Sequence, residues 1–271
     1  MATKYYDRPI FGTNNAKIKK GESEGFYSVI LNFAPHDIAF KPSKYGFDLP
    51  DINLWDIIGL GHNPIIEKYA TVCPFATLEC KSVCLFTAGK GSYPSVKIGR
   101  IKKTQAFLLN PNAFVQQMWG ELLWHKTKAE KLGMVLCIRL NGTQDIPFED
   151  YKIEHESKSY DLVGAITKFI PESKLYDYTK WVKRSSEYNL TYSFTGSKPS
   201  LKNSLKLLES GKNIAFVYEG KMPKLWHGYP VYSGDINDLR FQDPKGHAIA
   251  LKAKGTARGK VSKNGFVQIY A

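Results

Sequence analysis

Cys73, Cys80 and Cys84 stand in the segment CPFATLECKSVC with a C-x6-C-x3-C spacing. Three cysteines this close in a chain that has only four point to a metal site rather than to disulfides, and thiolates suit zinc or an iron–sulfur cluster. The spacing is neither the C-x2-C of a zinc knuckle nor the C-x3-C-x2-C of radical enzymes. Cys137 is the candidate fourth ligand, with His62 and His125 as the other nearby donors. The competing account is three small buried side chains, since free cysteine packs as a small hydrophobe. A second group of residues is acidic. Asp145, Asp177 and Asp235 each sit at or near the end of an apolar run. Asp177 lies inside the aromatic run LYDYTK, where no turn accounts for it, and a buried carboxylate needs a partner or a task. Carboxylates of this kind move protons or hold Mg²⁺ in a nuclease.

The elements that must position these residues read as alternating strands and helices after a less regular start. FYSVILNF (26–33) and MVLCIRL (134–140) are strand-like runs, as are segments 174–180, 190–196, 213–220, 229–234 and 248–255. Helices are expected over 93–109 and, after Asn110-Pro111, to about Lys131, with Gly133 as a stop. DLVGAITKF, WVKRSSEYN and SLKNSLKLLESGK read as further helices. Strand–helix alternation implies parallel pairing. No dinucleotide fingerprint or phosphate loop occurs, so an α/β fold with a (β/α) barrel or partial TIM-like barrel is expected. One domain over 1–271 is expected, an irregular 1–92 carrying the cysteines and a barrel-like 93–271. Active sites of such barrels lie at the C-terminal strand ends, where Asn141, Gln144, Asp145, Asp177, Tyr178, Glu219, Asp235, Arg240, Lys252 and Lys254 fall. The plain alternative for several of these is turn chemistry.

The 271 residues carry 38 Lys and Arg against 25 Asp and Glu, a net charge of +13. Between Lys81 and Gly120 there is no acid, but there are Lys81, Lys90, Lys97, Arg100, Lys102 and Lys103. Clustered positive charge attracts polyanions, so nucleic acid is the expected partner. A lysine-rich solvated surface is the bland alternative. No run approaches the ~18 apolar residues of a membrane span, and MATKYYDRPIFGTNNAKIKK has no signal-peptide core. A soluble, cytoplasmic protein is expected.

The blocks CPFATLECKSVCLFTAGKG, IGRIKKTQAFLLNPNAFVQQMWGEL and IRLNGTQDI resemble the phage gene product 88 family. YDYTK, TYSFTG, GDINDLRFQDP and LKAKG continue the resemblance in the same order, over roughly residues 50–255. The resemblance implies a relation to phage DNA 7-deazaguanine transglycosylases, themselves similar to tRNA-guanine transglycosylase. It implies a barrel that exchanges guanine in DNA for a 7-deazaguanine, such as 7-cyano-7-deazaguanine, in the host cytoplasm. Those enzymes hold zinc through residues late in the chain, whereas Cys73–Cys84 come early, so the metal does not carry over by position. Base exchange needs a carboxylate to attack the sugar and an acid/base group for the leaving and entering bases. Asp235 is the expected nucleophile and Asp145 the acid/base or base-recognition residue, with Asp177 able to take either role. Asn141 and Gln144 would read a base edge, with Tyr178 and Glu219 beside them. Lys97, Arg100, Lys102, Lys103, Arg139, Arg240, Lys252 and Lys254 would meet phosphate. The other readings are a metal- or cluster-containing nucleic-acid enzyme and a non-enzymatic DNA-binding protein.

Overall fold

The computed structural model describes residues 4–14, 16–53, 71–184, 188–260 and 265–270. Short apolar runs become strands. β1 (Phe26–Ile30), β2 (Val135–Arg139), β5 (Lys174–Thr179), β6 (Asn189–Ser193), β7 (Ile214–Gly220), β9 (Tyr229–Ser233) and β10 (Ala248–Lys252) lie parallel in one sheet. With β8 (Leu225–Trp226) antiparallel on β9, the order is β1-β2-β5-β6-β7-β10-β9-β8. β11 (Val267–Tyr270) pairs with the C-terminal half of β7, Val267 opposite Val217, on an edge whose first half faces β6. Gly220 permits this. Its φ is +88°, and a Cβ there would stand 2.1 Å from the Tyr270 carbonyl oxygen. β3 (Lys152–His155) and β4 (Lys158–Asp161) form a separate hairpin that turns through Glu156 and Ser157, both at positive φ.

The long helices cover one face of the sheet. α1 (Ala16–Glu22), α2 (His36–Phe40) and α3 (Leu78–Ser82) are short. α4 (Pro94–Leu109) and α5 (Pro111–Lys131) are the long pair. Both begin with proline, whose missing N–H has no helical partner at that position anyway. Asn110 joins them, its Oδ1 accepting from Ala113 N at 3.0 Å. Side chains alternate along a strand. Tyr27 and Val29 of β1, with Leu136 and Ile138 of β2, therefore face Phe107, Phe114, Met118 and Trp119 of the helices. Cys137 points the other way, against Tyr176, Leu239, Phe26 and Phe241. α6 (Leu162–Phe169) and α7 (Lys198–Glu209) complete the helical layer. Beneath α7, Phe216 stacks on Trp226 at 5.5 Å.

The sheet is not a closed barrel. β1 and β8 are its two ends and do not pair with each other. The segment 235–243 occupies the inner face instead. Phe241 packs edge-on against both Phe26 and Tyr176 at 5.5 Å, and Asp238 accepts from Arg139 at 2.9 Å. An apolar plug held by ion pairs thus stands where closing strands would be. Among the described residues no helix is long and apolar enough to cross a membrane.

Candidate functional site at the C-terminal rim

Because the strands run parallel, the residues that follow β2, β5, β6, β9 and β10 share one rim. Asp145, Asp177 and Asp235 therefore belong to the same end of the sheet, but in different surroundings. Asp177 is wholly buried. Its carboxylate accepts from Asn141 N at 2.8 Å and Asn141 Nδ2 at 3.1 Å, with Arg139 Nε 4.0 Å away. Burial pushes its pKa up to about 7, against the pull of Arg184, Arg139 and the Asn141 donors. Asp145 is also buried. It accepts from Lys180 N at 2.7 Å, and Arg184 Nη1 is 3.5 Å away. Burial likewise raises its pKa, and Lys180 and Arg184 offset this in part. Arg184 grips Glu149 with two bonds, at 2.7 and 2.8 Å, and donates to Tyr188. No sequence signal marked Arg184, which lay in WVKRSSEYN, read as a helix. Of that segment, the described residues 181–184 form a turn and Asn189 opens β6, so no helix forms over them.

Asn141 and Gln144, expected at a base edge, are occupied by the fold. Asn141 Oδ1 accepts from Ile146 N, and its Nδ2 donates to the Ile146 carbonyl and to Asp177. Gln144 accepts from Phe33 N and Thr143 N and donates to the Leu31 and Leu140 carbonyls, tying the ends of β1 and β2 together. Tyr178 carries the Arg139 guanidinium over its ring at 4.7 Å, so that face is not available to a base. Glu219 accepts from Gly259 N at 2.9 Å.

The residues expected at phosphate divide the same way. Arg240 is buried, 3.2 Å from Asp243, and Arg139 is buried against Asp238. The Arg240 guanidinium does not reach the surface, and the Arg139 side chain keeps only 12% exposure. Burial works against the Arg139 charge, but Asp238, Tyr178, Tyr176 and Asp177 hold it above its ordinary pKa. Arg100 donates to the Phe86 carbonyl at 2.8 Å, and Lys103 donates to the Ile10 carbonyl. Burial lowers the Lys103 pKa to about 8. These two side chains hold the 86–91 and N-terminal segments against α4. Lys97 and Lys102 are partly exposed, and Lys252 and Lys254 are exposed. Lys254 forms an ion pair with Asp235 at 2.9 Å, and Asp235 also accepts from Lys252 N at 2.8 Å. Asp235 keeps 27% of its side chain in solvent, against 0% for Asp177 and 2% for Asp145.

The cysteine segment lies across this rim. Asp145 N donates to the Val72 carbonyl at 2.9 Å, the Cys73 thiol contacts the Thr143 carbonyl, and Thr77 donates to the Thr195 carbonyl at 3.2 Å. Burial pushes the Cys73 thiol up to about 12, and Cys84 and Cys80 both act on it. Lys180 stands among these groups. Burial disfavours its charge, but Cys80, Asp145, Cys73 and Cys84 raise its pKa above the usual lysine value. Cys137 is elsewhere, on the inner face of β2, and His125 is bonded to the Tyr27 hydroxyl within the helical layer. His62 lies outside the described residues. Among the described residues no group of three or more His, Cys, Asp or Glu side chains is placed to hold a metal ion. Nor are Asp145 and Asp177, surrounded by N–H donors and guanidinium groups, arranged for Mg²⁺. Among the described residues the donor set fits neither zinc nor an iron–sulfur cluster.

Between the cysteine segment and the ends of β5 and β6 there is a cleft of about 370 Å³. Phe75, Thr77, Lys180, Trp181, Thr195 and Ser197 are among its walls. Phe75 and Trp181 meet edge to face at 4.7 Å. Ser197 caps α7, accepting from Ser200 N. None of the three aspartates lines this cleft. Sequence reading missed Phe75 and Trp181; the only clue was that Phe75 sits among the cysteines.

A profile of the family described as Gene product 88 matches residues 10–268. No curated protein and no solved structure matches the chain.

Proposed function

We propose that this chain, which belongs to the phage gene product 88 family, is a DNA-modifying base-exchange enzyme that replaces guanine with a 7-deazaguanine. The observation that carries the reading is the cleft at the C-terminal rim, with an aromatic pair, Phe75 and Trp181, and a cation, Lys180, in its walls. Aromatic rings contact the faces and edges of bases, and lysine attracts phosphate. The net charge of +13 supports a polyanionic partner.

Asp235, on the same rim but outside the cleft's walls, is the attacking carboxylate, because it alone of the three aspartates has appreciable solvent access, and Lys254 pairs with it at 2.9 Å. Its oxygen bonds to the sugar C1′ as the bond from C1′ to guanine breaks. Guanine leaves with a proton gained at a ring nitrogen. The 7-deazaguanine loses a proton from its own ring nitrogen, attacks C1′ and releases the carboxylate, so the exchange is proton-neutral overall. Asp145 acts through Lys180 and Arg184 as a positioning residue, and Asp177 does so through Asn141. Nucleoside mass spectrometry of DNA from cells that express the chain and make a 7-deazaguanine tests the proposal. A modified nucleoside that disappears with Asp235→Asn is expected; wholly unmodified DNA overturns the reading.

A further inference from the structure

Next to the cleft, the cysteine segment carries large apolar side chains that face water. Leu78, the first residue of α3, is 84% exposed, and Phe75, three residues earlier, is 44% exposed. Thr77, between them, caps α3 through its hydroxyl and lines the cleft. Leu78 therefore follows directly in the chain on a residue of the cleft wall. Burying a leucine side chain is stabilising, a gain that the fold leaves unused here. A lone exposed leucine needs no explanation. This one lies three residues from an exposed phenylalanine in the wall of a cleft, and the surrounding charge is mostly basic. Lys81, Lys180 and Lys183 are near in chain or cleft. Glu79, the one acid between Thr71 and Tyr93, is tied to Phe266 N at 3.0 Å. An apolar tip within a basic surround matches a partner whose outside is anionic and whose inside is stacked and apolar. Duplex nucleic acid has that profile.

We infer that Leu78 is a wedge that enters the base stack of duplex DNA as a nucleotide turns out into the Phe75–Trp181 cleft. This rests on the base-exchange reading. A base inside a duplex is inaccessible to chemistry and must leave the stack, at a cost that an inserted side chain can offset. The lysines would hold the phosphates on either side while Leu78 fills the vacated space.

The test uses the full chain and a guanine-rich duplex with 2-aminopurine beside each guanine, whose fluorescence rises when it unstacks. Leu78→Ala should lower the unstacked fraction about tenfold, the equivalent of ~1.4 kcal/mol. Binding to the same sequence as a single strand, which has no stack to open, should be unchanged. Leu78→Met should restore most of the signal. The residue is exposed, and circular dichroism should show both variants folded. Equal unstacking by the wild type and Leu78→Ala would overturn the wedge and leave base exchange standing. A wild type that binds neither duplex nor single strand would sink base exchange and the wedge together. Binding to phosphatidylglycerol vesicles that Leu78→Ala abolishes, with duplex unstacking unaffected, would make Leu78 lipid-facing and overturn the inference.

Discussion

At the β2–β5 end of the rim, Asp145 and Asp177 are buried among many partners; at the β9–β10 end, Asp235 pairs with Lys254, accepts from Lys252 N and keeps part of its side chain in solvent. The first arrangement is what a buried charge requires, since an unpaired carboxylate there would cost several kcal/mol. The second leaves a carboxylate able to reach another molecule. Aspartates of similar sequence appearance thus differ in role because of what surrounds them. The cations follow the same division. Arg139, Arg184 and Arg240 serve the interior, while Lys252 and Lys254 face out.

The largest expected effect that sharpens this contrast is at the open end. Asp235→Asn should reduce base exchange by about 10⁴-fold or more, the scale for losing a nucleophile, while changing stability by under about 1 kcal/mol, as for exposed ion pairs. Incorporation kinetics and urea unfolding measure the two, and unimpaired exchange breaks the assignment. At the closed end the balance reverses. Asp177→Ala should cost about 3–5 kcal/mol in urea unfolding, because it leaves Arg139 and Arg184 beside an empty position. A loss below about 1 kcal/mol would show that the network does not depend on this carboxylate.

A milder probe is pH. The folded pKa of Asp177, about 7, lies above the ordinary aspartate value of 3.8, so between these values the folded state binds more protons and stability falls as pH rises. Relative to Asp177→Asn, the wild type should be most stable near pH 4, lose that advantage up to pH ~7 and level off above it. A flat difference, or one rising with pH, would contradict the burial-dominated pKa. The smallest effect is on salt dependence. If Lys252 meets a phosphate, Lys252→Ala should reduce the slope of log K against log salt by about 1. Arg240→Met should leave the slope alone and lower stability. Equal slopes in all three proteins would erase the division of cations.

Much of this frame was legible in the sequence. Apolar runs marked the parallel strands because a strand buried on both faces has no polar side, and Asn110-Pro111 marked the break between α4 and α5. The β3–β4 hairpin escaped because Glu156-Ser157 is not an Asn-Gly turn. Closure was misread for a different reason. Strand count suggests a barrel, but whether the ends meet depends on what fills the middle, and Leu239 and Phe241 gave no sign that they turn inward. Asp177 was recognisable as a buried carboxylate needing partners. That Asn141 supplies two of them was not, since a side chain directed at a neighbouring strand looks in sequence like one directed at a substrate.

The shared edge of β7 carries a consequence for biogenesis. β6 covers only the first part of that edge and β11 covers the rest, and β11 follows every other strand of the sheet in chain order. During synthesis the stretch Val217–Gly220 is therefore a bare template until Val267–Tyr270 has emerged. Bare edges recruit strands from other chains, so slow translation past residue 220 should favour association between nascent chains, and a free VQIY peptide supplied in trans should suppress it.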